Sequence, residues 1–272
     1  MPPTRDDPPD PTTLLRRFSA HHELDWGSTP YDAADIAHRH GAKAAQKALR
    51  LLAQAAAVEP DRTAEFLASL PPNGSAYQLN RRVKSPESLA RKIQSWTAKG
   101  NDRPMDDILR YTVVVEAPDQ VVAAARHTVA QLLSRGWRVR HVMHSYTEGS
   151  RYKGVHGYME APDSPRIELQ FHSTASLKVK ELTTPWYEIE RSVSATPDER
   201  AAARDKCVAA SATLSPPAGI AELTTLGGRR VAVNNYSDSQ QALTNSANAK
   251  DDHVDRPTAR AAALEKNDGV VR

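Results

Sequence analysis

The segment Arg166-Ile-Glu-Leu-Gln-Phe-His172 reveals the fold more clearly than any other part of the chain. Its apolar residues alternate with Glu168, Gln170 and His172, and this period of two is typical of a β-strand with one buried face. The strand therefore displays three polar side chains together on its other face. An ordinary solvated outer face shows the same alternation, so the strand alone leaves both interpretations open.

Patterns on either side of this strand predict further elements. β-Branched residues at 111–115 indicate a strand, and the apolar spacing that follows, up to the glycine at 136, indicates a helix. Further strands are predicted at 137–146 and 155–161, and further helices at 31–56, 60–70, 86–97 and 197–210. This order of elements predicts an α+β domain with a mixed, mainly antiparallel β-sheet flanked by α-helices.

Composition divides the chain into four parts. Residues 1–30 are rich in proline and charge, and residues 234–272 carry almost no large apolar groups, so both segments are predicted to be disordered. Residues 31–75 are predicted to form N-terminal helices that pack on the core. Residues 76–233 are predicted to form the α+β domain itself.

Charge and hydropathy exclude several classes of protein. The net charge over 272 residues is 36 − 33 = +3, which is too small to indicate a nucleic-acid binder by itself. No apolar run of about 18 residues occurs and the first residues are polar, so we expect neither a membrane span nor a conventional secretion signal. The cytoplasm is the default location, and export by a specialised route stays open. The single cysteine, Cys207, excludes an intrachain disulfide.

A pair of carboxylates, Asp106 and Asp107, stands immediately before the apolar strand at 111–115. A carboxylate at that strand end is predicted to meet Glu168 from another strand. Two such groups suit Mg²⁺, which prefers one or two carboxylates together with phosphate and water. The alternative is that the pair only caps a helix or forms a turn.

Basic residues gather before the helix predicted at 86–97. Arg81, Arg82 and Lys84 precede it, and Lys92 lies on its exposed side. A cationic loop that leads into a helix N-terminus binds polyphosphate through charge, forked guanidinium bonds and free backbone N–H groups. No P-loop and no Gly-x-Gly-x-x-Gly turn occurs, so these side chains have to supply more of any phosphate contact. The alternative is a solvated charged surface.

An aromatic residue lies between two cations in Gly149-Ser-Arg-Tyr-Lys-Gly-Val-His156. Tyr152 is predicted to stack on a nucleotide base, while Arg151 or Lys153 meets phosphate. The alternative is an ordinary loop with a packed tyrosine.

Taken together and in order, these motifs resemble the synthetase domain of the RelA/SpoT family of alarmone synthetases. The resemblance covers about residues 77–192, and its most specific parts are Tyr-Lys-x-x-His and Glu-Leu-Gln. In chain order the motifs are Arg82-x-Lys84-x-x-x-Ser88-x-x-x-Lys92, Asp107-Ile108, Tyr152-Lys-Gly-Val-His156, Glu168-Leu-Gln170-x-His172, and Lys180 with Tyr187-Glu188.

The resemblance implies a mixed, nucleotidyltransferase-like sheet flanked by helices. It also implies transfer of the β,γ-pyrophosphate of ATP to the ribose 3′-OH of an acceptor nucleotide. Mg²⁺ is the implied cofactor, with Asp107 and Glu168 as its ligands and as the catalytic residues, and Glu168 is also the candidate base. The implied ATP-binding residues are Arg82, Lys84, Ser88, Lys92 and Arg110. The implied acceptor-binding residues are Arg151, Tyr152, Lys153, His156, Gln170 and His172.

Several positions depart from the family pattern. Arg110 follows Asp107 at the third position instead of the fifth, His172 stands where the family usually has arginine, and no histidine comes just before Tyr187-Glu188. These differences make the chain resemble divergent stand-alone or toxin-like members. We expect GDP or GTP as the acceptor, with an adenosine nucleotide or the 3′ end of tRNA as the alternative. A tRNA acceptor would use a local basic patch of Lys178, Lys180, Arg191 and Arg200.

A protein of another class also fits the motifs. A catalytically silent nucleotide-binding module is this alternative, since divergent members of such a family can keep the pocket and lose turnover. The family's hydrolase domain is not expected, because only about 80 residues precede the basic loop and no paired His-Asp motif lies there. No membrane partner is predicted, and the sequence leaves open a homo-oligomer and an antitoxin partner.

Overall fold

The computed structural model describes residues 9–27, 32–101, 104–192 and 194–236. Its helices are α1 (Pro11–Phe18), α2 (Ala33–His40), α3 (Ala42–Leu67), α4 (Pro86–Ala98), α5 (Val121–Leu133), α6 (Thr174–Arg191) and α7 (Pro197–Ala212). Its strands are β1 (Gly74–Tyr77), β2 (Leu109–Val115), β3 (Arg138–His144), β4 (Val155–Glu160), β5 (Arg166–Ser173), β6 (Thr225–Leu226) and β7 (Arg229–Val233).

The seven strands of the described residues follow the spatial order β1-β2-β5-β4-β3-β7-β6. β2 pairs parallel with β5 and β3 pairs parallel with β7, whereas the other four pairings are antiparallel. The predicted α+β fold with a mixed, mainly antiparallel sheet is therefore confirmed.

One face of the sheet carries the core. Ile167, Leu169 and Phe171 of β5 are fully buried, and Tyr111 of β2 stacks on Phe66 of α3 with ring centroids 4.5 Å apart. Helices α3 and α5 pack on this side. α6 begins where β5 ends and contacts the polar side chains on the opposite face. Helices therefore flank the sheet on both faces.

Two helices begin where their sequence signals indicate. Ser85 caps α4 by accepting a hydrogen bond from a backbone N–H of its first turn, and proline takes the first helical position. Thr196 and Glu199 cap α7 reciprocally. The Lys84 backbone N–H donates to the Ile108 carbonyl oxygen at 2.9 Å. The loop before α4 is thereby held beside the start of β2.

The N-terminal segment differs from its prediction. Asp10 caps α1, and Leu14 and Phe18 of this helix are buried in the core. The prediction of disorder over 1–30 is therefore wrong for residues 9–27, because apolar residues one turn apart give a short helix a face that can be buried. Residues 1–8 and 28–30 lie outside the described residues.

The predicted break at Pro60 is also wrong, because α3 is one continuous helix. A proline inside a helix removes one backbone hydrogen bond and costs about 3 kcal/mol or more. Buried contacts offset this cost: the Thr63 hydroxyl lies 2.5 Å from Glu59 and 2.9 Å from the Tyr111 hydroxyl. Tertiary packing thus overrides the local helix-breaking signal.

The sequence patterns also do not predict β1, α6, β6 and β7. α6 contains Pro185 directly after two β-branched threonines, which are poor helix signals. β7 has five residues and pairs with β3, which is distant in sequence. The predicted C-terminal disorder begins too early, since the Asn234 backbone N–H donates to the His144 carbonyl oxygen. Residues 237–272 lie outside the described residues.

The described helices bear on one further expectation, that of no membrane span, and hold the single cysteine. None of them is long and apolar enough to cross a membrane. Cys207 of α7 is a buried free thiol, and burial raises its pKa, as is typical of an unreactive structural cysteine.

Candidate active site

Strand pairing brings polar residues of three strands onto one side of the sheet. Arg110 of β2 stands beside Glu168 of β5, and Glu168 stands beside Tyr158 of β4. Gln170 of β5 likewise stands beside His156 of β4. Paired residues point to the same side of a sheet, so these five residues define one surface, which we call the polar face.

The loop before β2 places Asp107 between two lysines. Its Oδ2 accepts a hydrogen bond from Lys84 at 2.6 Å, and its Oδ1 lies 2.9 Å from the Lys92 ammonium. Burial opposes ionisation of Asp107, but these two cations outweigh burial and lower its pKa to about 2. Asp106 lies 3.2 Å from Lys92. Asp107 is therefore a carboxylate at neutral pH, held from two directions.

Glu168 lies deep in the polar face, with 7% of its surface exposed. His156 Nδ1 lies 3.0 Å from Glu168 Oε1, and the Tyr158 hydroxyl lies 3.5 Å from the same oxygen. Burial acts to raise the pKa of Glu168, but the hydrogen bond from His156 and the charge of Arg110 outweigh it, so the pKa is lowered. The charge of Asp107 opposes this lowering, as expected for two carboxylates in one site.

Tyr152 reaches this site from the loop before β4. Its hydroxyl lies 2.7 Å from Nε2 of both His156 and His172. Burial raises the pKa of Tyr152 and lowers that of His172. Gly154 permits the approach, because a Cβ there would lie 2.7 Å from the Tyr152 hydroxyl and 2.9 Å from His172 Cε1. Packing therefore requires the glycine of the Tyr-Lys-Gly-Val-His motif.

Arg110 and Lys180 add positive charge to the polar face. Lys180 of α6 donates to Gln170 Oε1 at 2.7 Å, and burial lowers the pKa of this lysine. The positive charge of Arg110 acts to lower the pKa values of Lys84, Lys180 and Glu168. Arg110 therefore lies close both to Lys84, beside Asp107, and to Glu168. Its Nε is buried without a hydrogen-bond partner within the described part of the chain. This guanidinium therefore keeps donor capacity for a ligand.

Asp107 and Glu168 form a donor set that fits Mg²⁺. Asp107 Oδ1 is buried and has no contact besides the Lys92 ammonium 2.9 Å away within the described residues. One oxygen of Glu168 is engaged with His156. Within the described ranges, no group of three or more acidic, histidine or cysteine side chains forms a metal site. Two carboxylates nevertheless suit Mg²⁺, which takes its remaining ligands from phosphate and water.

Comparison with known proteins finds solved structures to which this chain is similar. One is the complex of the Type VI effector Tas1 with its immunity protein, at 21% identity and a TM-score of 0.39, covering 63% of this chain and 96% of that chain. Another is small alarmone synthetase 1 from Bacillus subtilis bound to its product pppGpp, at 13% identity and a TM-score of 0.36, covering 60% and 87%. A second structure of that synthetase has 14% identity and a TM-score of 0.35, covering 66% and 93%.

These neighbours include an alarmone synthetase. That is the kind of protein which the sequence motifs resemble. No family model and no curated protein matches the chain. Identities of 13 to 21% and TM-scores below 0.5 establish neither an activity nor a substrate. The chemistry of this chain therefore has to follow from its own polar face.

Arg82, predicted to bind ATP, lies outside the site. Its side chain is fully buried and forms an ion pair with Glu59, with Nε 2.5 Å from the carboxylate. Its other N–H groups donate to backbone carbonyl oxygens of residues 18, 22, 23 and 79. An arginine has five N–H donors, and all of them are used, so none is left for phosphate. Arg82 instead ties the N-terminal segment to the core.

Three predicted acceptor-binding residues have other environments. Arg151 pairs with Glu190 of α6, Lys153 Nζ lies 3.5 Å from the Leu214 carbonyl oxygen, and His172 has no exposed surface. The full burial of His172 corrects the expectation that this side chain contacts the acceptor, whereas acceptor contacts of Arg151 and Lys153 stay predictions. A ring with no exposed surface cannot contact a nucleotide, whereas 19% of the Arg151 side chain is exposed beside its ion pair.

The remaining predicted residues divide between the polar face and its surroundings. Lys84 and Lys92 meet at Asp107, whereas Ser88 lies in the first turn of α4. Lys180 faces Gln170 inside the site. The basic patch expected for tRNA therefore loses one of its four cations.

Tyr158 and Tyr236 belong to the site but are not predicted from the sequence. Tyr158 follows His156 by two residues in β4, so the alternation of that strand already places the two side chains on the same face. Tyr236 packs edge-on against Tyr152, with ring centroids 5.9 Å apart. It lies beyond β7, far from the motifs in sequence, so no local pattern indicates it.

Proposed function

We propose that this protein is a nucleotide 3′-pyrophosphokinase, which moves the β,γ-pyrophosphoryl group of ATP to the ribose 3′-OH of an acceptor nucleotide. One observation carries the proposal: two carboxylates and four cations converge on the polar face and on the loop and helices beside it. The carboxylates are Asp107 and Glu168, and the cations are Lys84, Lys92, Arg110 and Lys180. Phosphoryl-transfer sites combine such groups because metal and cations neutralise the charge on the transferring phosphate.

The proposed ATP end of the site is the loop before α4. The side chains of Lys84 and Lys92 are 14% and 21% exposed, so each ammonium is shielded yet reachable. A triphosphate at this place meets both lysines, the free donors of Arg110 and the N-terminal turn of α4. These groups bind the phosphates and turn the β-phosphorus toward the acceptor.

The proposed chemistry at the acceptor end centres on Glu168. With Asp107 it would hold Mg²⁺, which supplies charge neutralisation on the phosphates when bound. Glu168 accepts the proton of the 3′-hydroxyl while the 3′-oxygen forms its bond to the β-phosphorus of ATP. The bond from that phosphorus to the α–β bridging oxygen breaks, and AMP leaves with the electron pair.

We propose GDP or GTP as the acceptor, which makes the product a (p)ppGpp-type alarmone. The motif resemblance supports this choice, with Tyr152 as the stacking surface for the base and Gln170 as a polar contact. The proposed place of action is the cytoplasm, where these nucleotides are available. Tas1 is in complex with an immunity protein, and an antitoxin is the corresponding proposed partner of this chain.

The test is incubation of purified protein with ATP and Mg²⁺ and with GDP, GTP, ADP or bulk tRNA in turn. Mass spectrometry should detect AMP together with an acceptor that is heavier by one pyrophosphate. Glu168→Gln and Asp107→Asn should abolish transfer and leave the fold intact. Glu160→Gln is the matched control, because Glu160 lies on the neighbouring strand β4 and pairs with Arg140, at 2.8 Å.

The outcomes of this experiment bear on the role of Glu168, on transfer itself and on the identity of the acceptor. Full Mg²⁺-dependent activity of Glu168→Gln would overturn the role of that residue. ATP binding without AMP release, whatever the acceptor, would overturn transfer and favour the catalytically silent module. Transfer to tRNA, with binding that weakens steeply with salt, would replace the guanosine acceptor by tRNA.

A further inference from the structure

Five side chains form one continuous line of hydrogen bonds that ends on Glu168, and we call this line the relay. His156 Nδ1 lies 3.0 Å from Glu168 Oε1, and the Tyr152 hydroxyl lies 2.7 Å from Nε2 of both His156 and His172. His172 Nδ1 lies 3.1 Å from Ser176 Oγ in the first turn of α6. Four of the five residues are buried and Tyr152 is half-buried, so little water competes for these bonds.

Each hydrogen bond of the relay is donated in the same direction, from Ser176 toward Glu168. A carboxylate only accepts hydrogen bonds, so His156 Nδ1 carries the hydrogen that bonds to Glu168. A neutral imidazole has one N–H, so His156 Nε2 accepts from the Tyr152 hydroxyl, whose oxygen accepts from His172 Nε2. His172 Nδ1 then accepts from the Ser176 hydroxyl, which in this direction turns away from the Ser173 carbonyl oxygen, also 3.1 Å from Ser176 Oγ. The reverse direction needs a second proton on His156, whereas this direction leaves every ring neutral.

The environment of His172 agrees with this assignment. Burial, together with the positive charge of Lys180, lowers the pKa of His172 well below its ordinary value. The side chain is therefore neutral and unsuited to bind phosphate as a cation. Gly154 supports the relay sterically, because any Cβ at this position would push Tyr152 and His172 apart.

We propose that His172 and Ser176 are positioning residues that orient Glu168 through Tyr152 and His156. The proposal rests on the proposed function, since that function gives Glu168 its part in the transfer. Because the relay holds Oε1, the rotamer of Glu168 is fixed. Oε2 is then the oxygen that remains for the part proposed for Glu168 in the transfer. Loss of such outer hydrogen bonds typically lowers activity by about 10- to 100-fold.

Two substitutions of His172 separate positioning from packing. His172→Gln keeps an N–H near the place of Nε2 and so keeps a donor for Tyr152, whereas His172→Asn is too short to reach it. We expect kcat to fall about 10- to 100-fold in His172→Asn and to recover in His172→Gln, with KM for both substrates unchanged. His144→Asn is the matched control, because His144 is a buried histidine of β3 outside the relay. Its kcat should equal that of the wild type.

A double variant tests whether His172 acts through Tyr152. Tyr152→Phe keeps the ring and removes the hydroxyl, so adding His172→Asn to it should lower kcat no further. Losses that multiply in the double variant would overturn the relay. Wild-type kcat in His172→Asn would overturn it as well.

A measurement without turnover distinguishes failure of the relay from failure of the proposed function. Nitrogen NMR of the labelled wild-type protein reports which ring nitrogen of each histidine carries the hydrogen. We expect the Nε2–H form for His172 and the Nδ1–H form for His156. An Nδ1–H form of His172 would overturn the relay whatever the activity. The expected forms, found together with no transfer to any acceptor, would uphold the relay and refute the proposed function alone.

Discussion

Replacement of Arg82 with methionine tests whether this residue holds the core or binds ATP. The arginine makes five hydrogen bonds, and its ion pair with Glu59 is 0% and 2% exposed on the two side chains. Arg82→Met removes these bonds and leaves Glu59 as an uncompensated buried charge. Breaking a buried pair in this way costs about 3–5 kcal/mol. That is a large part of the roughly 5–15 kcal/mol that stabilises a typical domain.

Urea unfolding of the purified variants measures this loss. We expect the urea concentration at the unfolding midpoint to fall strongly in Arg82→Met. The free energy of unfolding should fall by about 3–5 kcal/mol. The double variant Arg82→Met/Glu59→Leu is the matched control, because replacing a whole buried pair with apolar residues is often neutral. It should recover most of the lost stability, and its KM for ATP should equal that of the wild type.

The opposite pattern would refute this reasoning. If Arg82 binds phosphate, the single variant should unfold near the wild-type urea concentration and show a KM for ATP raised by about tenfold or more, as expected for one lost charge-assisted contact. The double variant would then restore nothing.

Three further predictions concern the residues around Tyr152. Gly154→Ala should destabilise the fold by about 1–3 kcal/mol and lower kcat, because the added Cβ lies 2.7 Å from the Tyr152 hydroxyl; unchanged thermal unfolding would contradict this. Tyr236→Ala should raise KM for the acceptor about two- to tenfold and leave KM for ATP unchanged, because its ring packs on Tyr152; steady-state kinetics decide. Burial depresses the pKa of His172 below the ordinary 6.5, so the folded state resists protonation and stability falls as pH drops below that value. Between pH 7.5 and 5.5 the wild type should lose roughly 1.4 kcal/mol more than His172→Gln in urea unfolding, and equal losses would contradict the prediction.

Much of the sheet could be predicted because its signals are local. The alternation in 166–172 determines which residues of β5 enter the core, and the β-branched run at 111–115 determines β2. Ser85 and Thr196 mark helix starts because a cap depends on only a few neighbouring residues. These elements already place Glu168, Gln170 and His172 on one face.

The parts of the fold and of the site that could not be predicted depend on contacts between residues that are distant in sequence. Arg82 sits within a family-like motif, but its partner Glu59 comes from α3, which sequence patterns split in two at Pro60. His172 has the spacing of a surface residue of β5, yet α6 covers it. Tyr236 meets Tyr152 only because β7 pairs with β3. Composition and periodicity carry no information on such pairings.

The most direct test of the central claim is the ratio of AMP to pyrophosphorylated acceptor formed by the wild-type protein with ATP and Mg²⁺. Transfer of the β,γ-pyrophosphoryl group predicts one AMP for each modified acceptor, and loss of both products in Glu168→Gln. Release of ADP and phosphate, or AMP without any modified acceptor, would contradict the claim, because either result means that the polar face does not pass pyrophosphate to a nucleotide hydroxyl.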